Sequence, residues 1–512
     1  MKRGLVFTLL LSLAVAGGIW LFHSEQTEGI ENRLVESQAA VKRLPASGPL
    51  RVSPVNSRYF VDASGHTVYL TGSHNWNNLQ DADPLFLNND AGRLIDPGNV
   101  TYPKFDFSEH LRFLIRYNHN FTRLWTCEEA AWVPWLVRKQ TIEPLPFART
   151  GPGEALDGKP KFNLTQLNQE YFDRLYSRVK QAGDSGIYVS VMLFNGWSVE
   201  TKGMPPMTKV WRGHPFNRDN NINGVDGDPN KDDEGTEAHT LQVAKVTAVQ
   251  EAYVRKTVTT LNDLDNVLWE ISNESNILST EWQYHMIKFI KECEATLPKQ
   301  HPVGMTFCHP GGTNEALFDS PADWISPSNR DPETPSVGDG RKVIILDSDH
   351  LPYLRRGRAW VWKSFTDGLN PIFMDPVEMG RWESVRQAMG MTLAYAKRMN
   401  LAAATPHGEL SSSGFCLANP GEEYLVYVPL GIARLESLRF VRRLAIPIRN
   451  IRRLFDTTVT VDLSSHPDQF RVEWLNPFNG EIQLGDSVKG GRKLTFTAPF
   501  RGDAVLYLVK ES

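Results

Sequence analysis

From about residue 52 onward, short apolar runs take turns with longer amphipathic stretches. Apolar runs of strand length fall at 68–71, 121–125, 186–194, 267–271, 303–307, 324–325, 343–346 and 372–374. Among them, 107–117, 166–182, 238–264, 282–295 and 383–399 repeat apolar side chains at the spacing of one helix face. Strand and helix alternating in this way predict a (β/α)8 barrel rather than an open sheet. Ahead of the first run, 59–70 reads as a hairpin with turn formers at its centre.

The rhythm changes past residue 402. Runs at 424–429, 458–463, 470–475, 493–498 and 504–509 are short and β-rich, are separated by turns containing Gly, Pro or Asn, and enclose no long helix. They predict a small all-β sandwich. The expected organisation is therefore a leader over 1–22, a polar linker over 23–50, a catalytic barrel over 51–403 and a sandwich over 404–512. Two segments interrupt the barrel rhythm, 149–161 and 201–237. Both are rich in Gly, Pro, Asn and Asp, and both are expected as substrate-binding loops on the C-terminal face of the barrel. Within the second, the acidic run 226–234 lacks the twelve-residue spacing of a calcium loop and reads as a solvated turn.

Charge and composition narrow the partners. The chain of 512 residues has a net charge of -4 and no basic face suited to a phosphate backbone, which argues against nucleic acid. One basic run, from Arg442 to Arg453, reads as a solvated edge of the second domain. Lys2 and Arg3 precede 19 uncharged residues, 4–22, with small residues at Ala14 and Ala16. This is the form of an export signal, and it is long enough to stay in a bilayer uncleaved. The expected location is therefore outside the cytoplasm, periplasmic, cell-surface or extracellular, with attachment to the inner membrane through 4–22 as the alternative to cleavage. Four cysteines are too few for a disulfide framework, although Cys127 with Cys308 is an allowed pair. No metal, cofactor or obligate protein partner is expected.

Two strand ends carry the sharpest chemistry. The run 267–271 delivers Asn273-Glu274 at its mouth, where a barrel holds catalytic groups, with Glu270 inside the strand as a structural acid. The run 343–346 delivers Asp347, Asp349 and His350. A carboxyl group from each strand is the pair that glycosidic cleavage needs, one to protonate the leaving oxygen and one to attack C1 or activate water. Glu274 is the candidate proton donor. Asp347 is the first candidate for the second carboxylate and Asp349 the alternative. Other strand ends offer His74, Asn75 and Trp76, then Arg123 and Trp125, then Asn195 and Trp197, then His309, Trp324, Trp362, Lys363 and Asp375. Sugars present apolar CH faces rimmed by hydroxyls, so aromatic and polar groups in alternation suit them, and a carbohydrate is the expected substrate.

The stretch 269–274 resembles the Asn-Glu motif of the clan A retaining glycoside hydrolases, the cellulase-like barrels. That resemblance implies Glu274 as acid/base, a nucleophile at Asp347 or Asp349 where the clan usually has Glu, and Arg123 as the arginine that braces it. More narrowly, 69–76, 347–350, 362–365 and 370–375 resemble a bacterial apiosidase-related group. The stretches 470–477 and 500–508 resemble that group's C-terminal β-sandwich of the collagen-binding type. The two rivals are a metal-dependent hydrolase using Asp347, Asp349, His350 and His309, and a non-catalytic sugar-binding surface protein on the same scaffold.

Overall fold

The computed structural model describes residues 43–83, 87–88, 94–95, 104–132, 141–202, 209–328, 338–350, 357–375, 382–430 and 457–511. Eight parallel strands form one sheet: β1 (Gly72–His74), β2 (Phe121–Leu124), β3 (Tyr188–Asn195), β4 (Val267–Asn273), β5 (Val303–Thr306), β6 (Trp324–Ser326), β7 (Val343–Asp347) and β8 (Asn370–Met374). The hydrogen-bonded order runs β1-β8-β7-β6-β5-β4-β3-β2. A parallel bridge from Asn75 to Leu124 and a bond from Thr122 Oγ1 to the Ser73 carbonyl bring the two outer strands together. The result is the expected (β/α)8 barrel.

The period of two along each strand divides side chains between two cores. In β4, Trp269 and Ile271 join the layer under the helices, while Leu268 joins an inner cluster with Phe121, Tyr188, Trp324, Val343 and Ile345. Leu50 and Phe60 belong to the same inner cluster, so the chain just before β1 plugs the barrel from below. Part of the expected linker is accordingly fastened down. Ala46 N–H donates to the Gly183 carbonyl at 2.9 Å, and the Tyr188 hydroxyl donates to the Ser47 carbonyl at 2.7 Å.

The helices form where caps and apolar stripes coincide. α1 (Phe107–Arg116) starts where the Asp106 carboxylate accepts from Glu109 N, and it buries Phe107, His110, Leu111 and Leu114 on one face. α2 (Gln169–Asp184) is capped likewise by Asn168. α3 (Ala244–Leu261), α4 (Thr280–Glu294), α5 (Asn314–Asp319), α6 (Arg358–Thr366) and α7 (Glu383–Ala396) complete the outer layer among the described residues. The expected helix from 238 begins only at Ala244, because Thr236–His239 forms a separate 3-10 turn. The expected loop 149–161 is instead an antiparallel hairpin, Phe147–Glu154 against Pro160–Leu167, whose bulges absorb the glycines and prolines. The acidic run 226–234 folds on itself: the Asp228 carboxylate accepts from the backbone N–H groups of Lys231, Asp232 and Asp233.

The second domain is a sheet of six strands, β9 (Thr405–Pro406), β10 (Cys416–Asn419), β11 (Glu423–Val428), β16 (Ala504–Lys510), β13 (Gln469–Leu475) and β14 (Ile482–Lys489) in spatial order, facing the pair β12 (Thr458–Asp462) and β15 (Lys493–Thr497). It docks on α6 and α7. Trp362 lies flat on Tyr427, with centroids 6.4 Å apart and planes within 9°. Arg398 grips Glu473 through two bonds of 2.8 Å, and the Tyr395 hydroxyl donates to the same carboxylate at 2.7 Å.

Membrane attachment, expected from residues 4–22, is corrected. Among the described residues no helix is long and apolar enough to cross a membrane. α1, for example, spends a single apolar face on the sheet. Residues 4–22 themselves lie outside the described residues, as does the basic run from Arg442 to Arg453. The part of the expected location that rested on that anchor, attachment to the inner membrane, is corrected with it. All four cysteines are free, so Cys127 and Cys308 are not paired.

Candidate active site

The inward positions of the barrel change character as the strands rise. Phe121, Leu268 and Ile345 fill the lower layer, and two residues further along their strands stand Arg123, Glu270 and Asp347. Arg123 is 1% exposed and spans the barrel. Its Nε donates to Glu270 Oε2 at 2.8 Å, Nη2 donates to the other Glu270 oxygen and to Asn273 Oδ1, and Nη1 donates to Asp347 Oδ2 at 3.0 Å. Ser190 Oγ adds a bond of 2.9 Å to Glu270. One cation thus faces two buried carboxylates, and their pull raises its proton affinity against the opposing effect of burial.

Asp347 is enclosed. Besides Arg123 it accepts from Asp349 N at 2.9 Å and from His74 Nε2 at 3.1 Å. The Trp125 indole N–H donates to His74 Nδ1 at 2.8 Å, which places the imidazole proton on Nε2 and aims it at Asp347. Trp125 is 4% exposed and carries the Arg123 guanidinium 4.5 Å above its ring, so it supports the site from beneath. Asp349, two residues on in the turn Ser348–His350, is half-buried, and Asn273 Nδ2 donates toward it at 3.5 Å. The His350 side chain lies outside the described residues.

Glu274 stands opposite in character. It is half-buried, and its backbone has φ 47°, a left-handed conformation that a glutamate adopts at a cost of about 1 kcal/mol or more. The surroundings hold it there. Trp197 Nε1 donates to Glu274 Oε2 at 2.6 Å, and the Lys202 ammonium donates to the Glu274 carbonyl, with its own charge met by Glu200 at 3.0 Å. Burial pulls the Lys202 ammonium below its ordinary range, and Glu200 opposes that shift. Gly196 passes so close that a Cβ there would sit 2.5 Å from the Glu274 carbonyl oxygen.

The structure brings together most of the expected site residues. His74, Arg123, Trp125, Asn195, Trp197, Asn273, Glu274, Asp347 and Asp349 lie in this hydrogen-bonded assembly, with Asn195 capping the turn that carries Trp197. Asn75 is half-buried at the β1–β2 junction, Trp76 is half-buried with its edge toward Trp125, and the exposed His309 offers its carbonyl to Lys202. Asp375 closes β8 against Arg386 and is buried. Three others lie elsewhere. Trp324 is 1% exposed inside the barrel, packed on Gly304, because the short β6 starts below the mouth. Trp362 and Lys363 sit under the sandwich, Lys363 with its ammonium 4.8 Å over Phe415.

Sequence reading missed Glu128, His214, His239, Glu200 and Lys202. Glu128 lies four residues past the end of β2, and a carboxylate shortly beyond a barrel strand was the available signal. His239 and Lys202 come from the long connection after β3, where no spacing marks them. Among the described residues no group of three or more His, Cys, Asp or Glu side chains is arranged to hold a metal.

No protein-family model and no curated protein matches the sequence. Solved structures do match. A protein described as a glycoside hydrolase superposes with a TM-score of 0.53 at 13% identity, over 92% of this chain and 99% of its own. A glycoside hydrolase family 5 protein from Bacteroides vulgatus ATCC 8482 superposes with the same TM-score and identity, over 92% of this chain and 95% of its own. At such identity the likeness is one of fold, and it extends over barrel and sandwich together.

Proposed function

We propose that this chain is a glycoside hydrolase acting with retention on a plant or bacterial polysaccharide or oligosaccharide. Within that class we group it with the apiosidase-related bacterial proteins, on the motifs at 69–76, 347–350 and 370–375. Glu274 protonates the glycosidic oxygen as a carboxylate from β7 attacks C1. The C1–O bond breaks, the leaving sugar departs with the proton, and a glycosyl ester remains on the protein. Water then attacks C1, Glu274 takes its proton, and the carboxylate is released.

Of the two aspartates, Asp349 is the one with an open face, and we assign it the attack. Asp347, held by Arg123, His74 and Asp349 N, is the fixed negative charge beside it. The observation that carries the reading is Asn273. Its two amide atoms reach Arg123 on one side and Asp349 on the other, so the residue next to Glu274 ties the proposed donor strand to the proposed nucleophile strand.

The test is release of sugar from a panel of polysaccharides and aryl glycosides by the purified chain and by Glu274→Gln, with the anomer followed by NMR. Release by the parent alone, with configuration kept, is the expected result. A folded parent that releases nothing but binds glycans would turn the reading into one of a sugar-binding protein. Asp349→Asn and Asp347→Asn divide the roles: only the residue that attacks C1 is labelled by a 2-fluoro glycoside.

A further inference from the structure

Beyond the strand end that carries Asn195 and Trp197, another carboxylate is buried, that of Glu128. Glu128 reaches back from the segment after β2. Its Oε1 accepts from Asn195 N at 2.8 Å and from His239 Nε2 at 2.9 Å, and His214 Nε2 stands 3.4 Å from Oε2. From His239 the line continues: Nδ1 lies 3.0 Å from Ser275 Oγ, and Ser275 Oγ lies 2.5 Å from Ser272 Oγ. The His239 ring is fixed flat against Trp282, with centroids 4.6 Å apart and planes within 7°. Ser275 and His239 are each 1% exposed, so the serine is closed to substrate and this line does no nucleophilic work of its own.

What the line touches gives its purpose. Asn195 N belongs to the residue whose side chain caps the Trp197 turn, and Trp197 supplies the indole N–H to Glu274. Ser275 is the residue after Glu274, where the chain leaves the left-handed conformation. We infer that Glu128 is a positioning residue for Glu274: one carboxylate oxygen fixes, through Asn195, the strand end that aims the indole and, through His239 and Ser275, the backbone that presents the acid. This inference rests on the proposed role of Glu274. His239, which donates to it, and the nearby His214 hold the Glu128 carboxyl at about 2 against the upward push of burial, so the anchor is an anion above that value.

A group that acts by aiming a general acid matters in proportion to how much the leaving group needs a proton. The experiment compares the parent with Glu128→Gln on two aryl glycosides of whichever sugar the parent turns over, one with a dinitrophenyl leaving group and one with a methoxyphenyl group. Glu128→Gln is expected to lower kcat/KM, which reports the step that expels the leaving group, by about 10- to 100-fold on the methoxyphenyl substrate and by less than about 3-fold on the dinitrophenyl one. Ser275→Ala, which cuts the line further from the anchor, is expected to show the same asymmetry at smaller size, and it carries the test where Glu128→Gln does not fold. Equal losses on both leaving groups, or full activity in a folded Glu128→Gln, would overturn the inference while leaving the role of Glu274 standing. A parent that turns over no glycoside removes both.

Discussion

The two strand ends that meet at the barrel mouth are built on opposite plans. At β7 the carboxylate of Asp347 is enclosed and saturated with donors: a guanidinium, an imidazole N–H and a backbone N–H. At β4 the carboxylate of Glu274 is half-exposed on a strained backbone, with an indole N–H on one oxygen and supports placed under its main chain. The first arrangement, with every donor aimed at the carboxylate, favours its ionised form. The second suits a group that must gain and lose a proton while facing substrate. The difference is that donors enclose the Asp347 carboxylate itself, whereas at Glu274 one indole N–H meets the carboxylate and the other supports lie along the backbone.

The largest effect expected from breaking this contrast is at Glu274. Replacement by Gln keeps shape and removes the proton that the proposed mechanism transfers, so glycoside turnover is expected to fall by about 100- to 10,000-fold with thermal stability unchanged, checked by initial rates beside a melting curve. Next comes Arg123. Lys in its place cannot span Glu270, Asn273 and Asp347 with one planar fork, and it leaves buried carboxylates poorly paired. A loss of about 3–5 kcal/mol in unfolding free energy is expected, read by denaturant titration. At the other strand end, Trp197→Phe removes the one N–H that reaches Glu274 Oε2 from the indole. A loss of about 10-fold in kcat follows from one charge-assisted hydrogen bond, measured by steady-state kinetics on a substrate with a poor leaving group.

The smallest effect is one of pH. Glu129 is 2% exposed, and burial, opposed by a bond from Ser198, raises its carboxyl from 4.5 to about 8. Between those values the folded chain holds a proton that the unfolded chain has released, so the stability it contributes is complete below about 4.5 and is lost as pH rises toward about 8. Glu129→Gln removes that dependence. Its melting temperature is expected to exceed the parent's by a few degrees at pH 8 and to match it at pH 4. The neighbouring Glu128 has the reverse sign: held at about 2, its contribution is present above about 4.5 and is lost as pH falls.

Much of this was legible along the chain, for reasons the strands make plain. β4 and β7 end their apolar runs in carboxylates, and a buried parallel strand that turns polar at its C-terminal end marks the mouth of a barrel. Residues that sit far from any such ending were harder. Trp324 and Trp362 share composition with Trp197, yet one fills the barrel interior and the other bears the sandwich. An aromatic ring serves equally well as core and as platform, so composition could not separate them. The hairpin at 147–167 was hidden because its glycines and prolines sit in bulges and turns, where they look like loop.

The sequence by itself determined the alternation of strand and helix, the change to β structure after residue 402 and the carboxyl groups at the two strand ends. All of these follow from periodicity and from what an apolar run leads into, which are local properties. Only the tertiary structure decided that Arg123 faces both Glu270 and Asp347, that Asp347 is enclosed while Asp349 is half-open, and that Glu128, more than a hundred residues before His239 and Ser275, is joined through them to the chain beside Glu274. Those contacts join positions up to 273 residues apart, and their geometry is fixed by barrel closure and stagger, which no local pattern encodes.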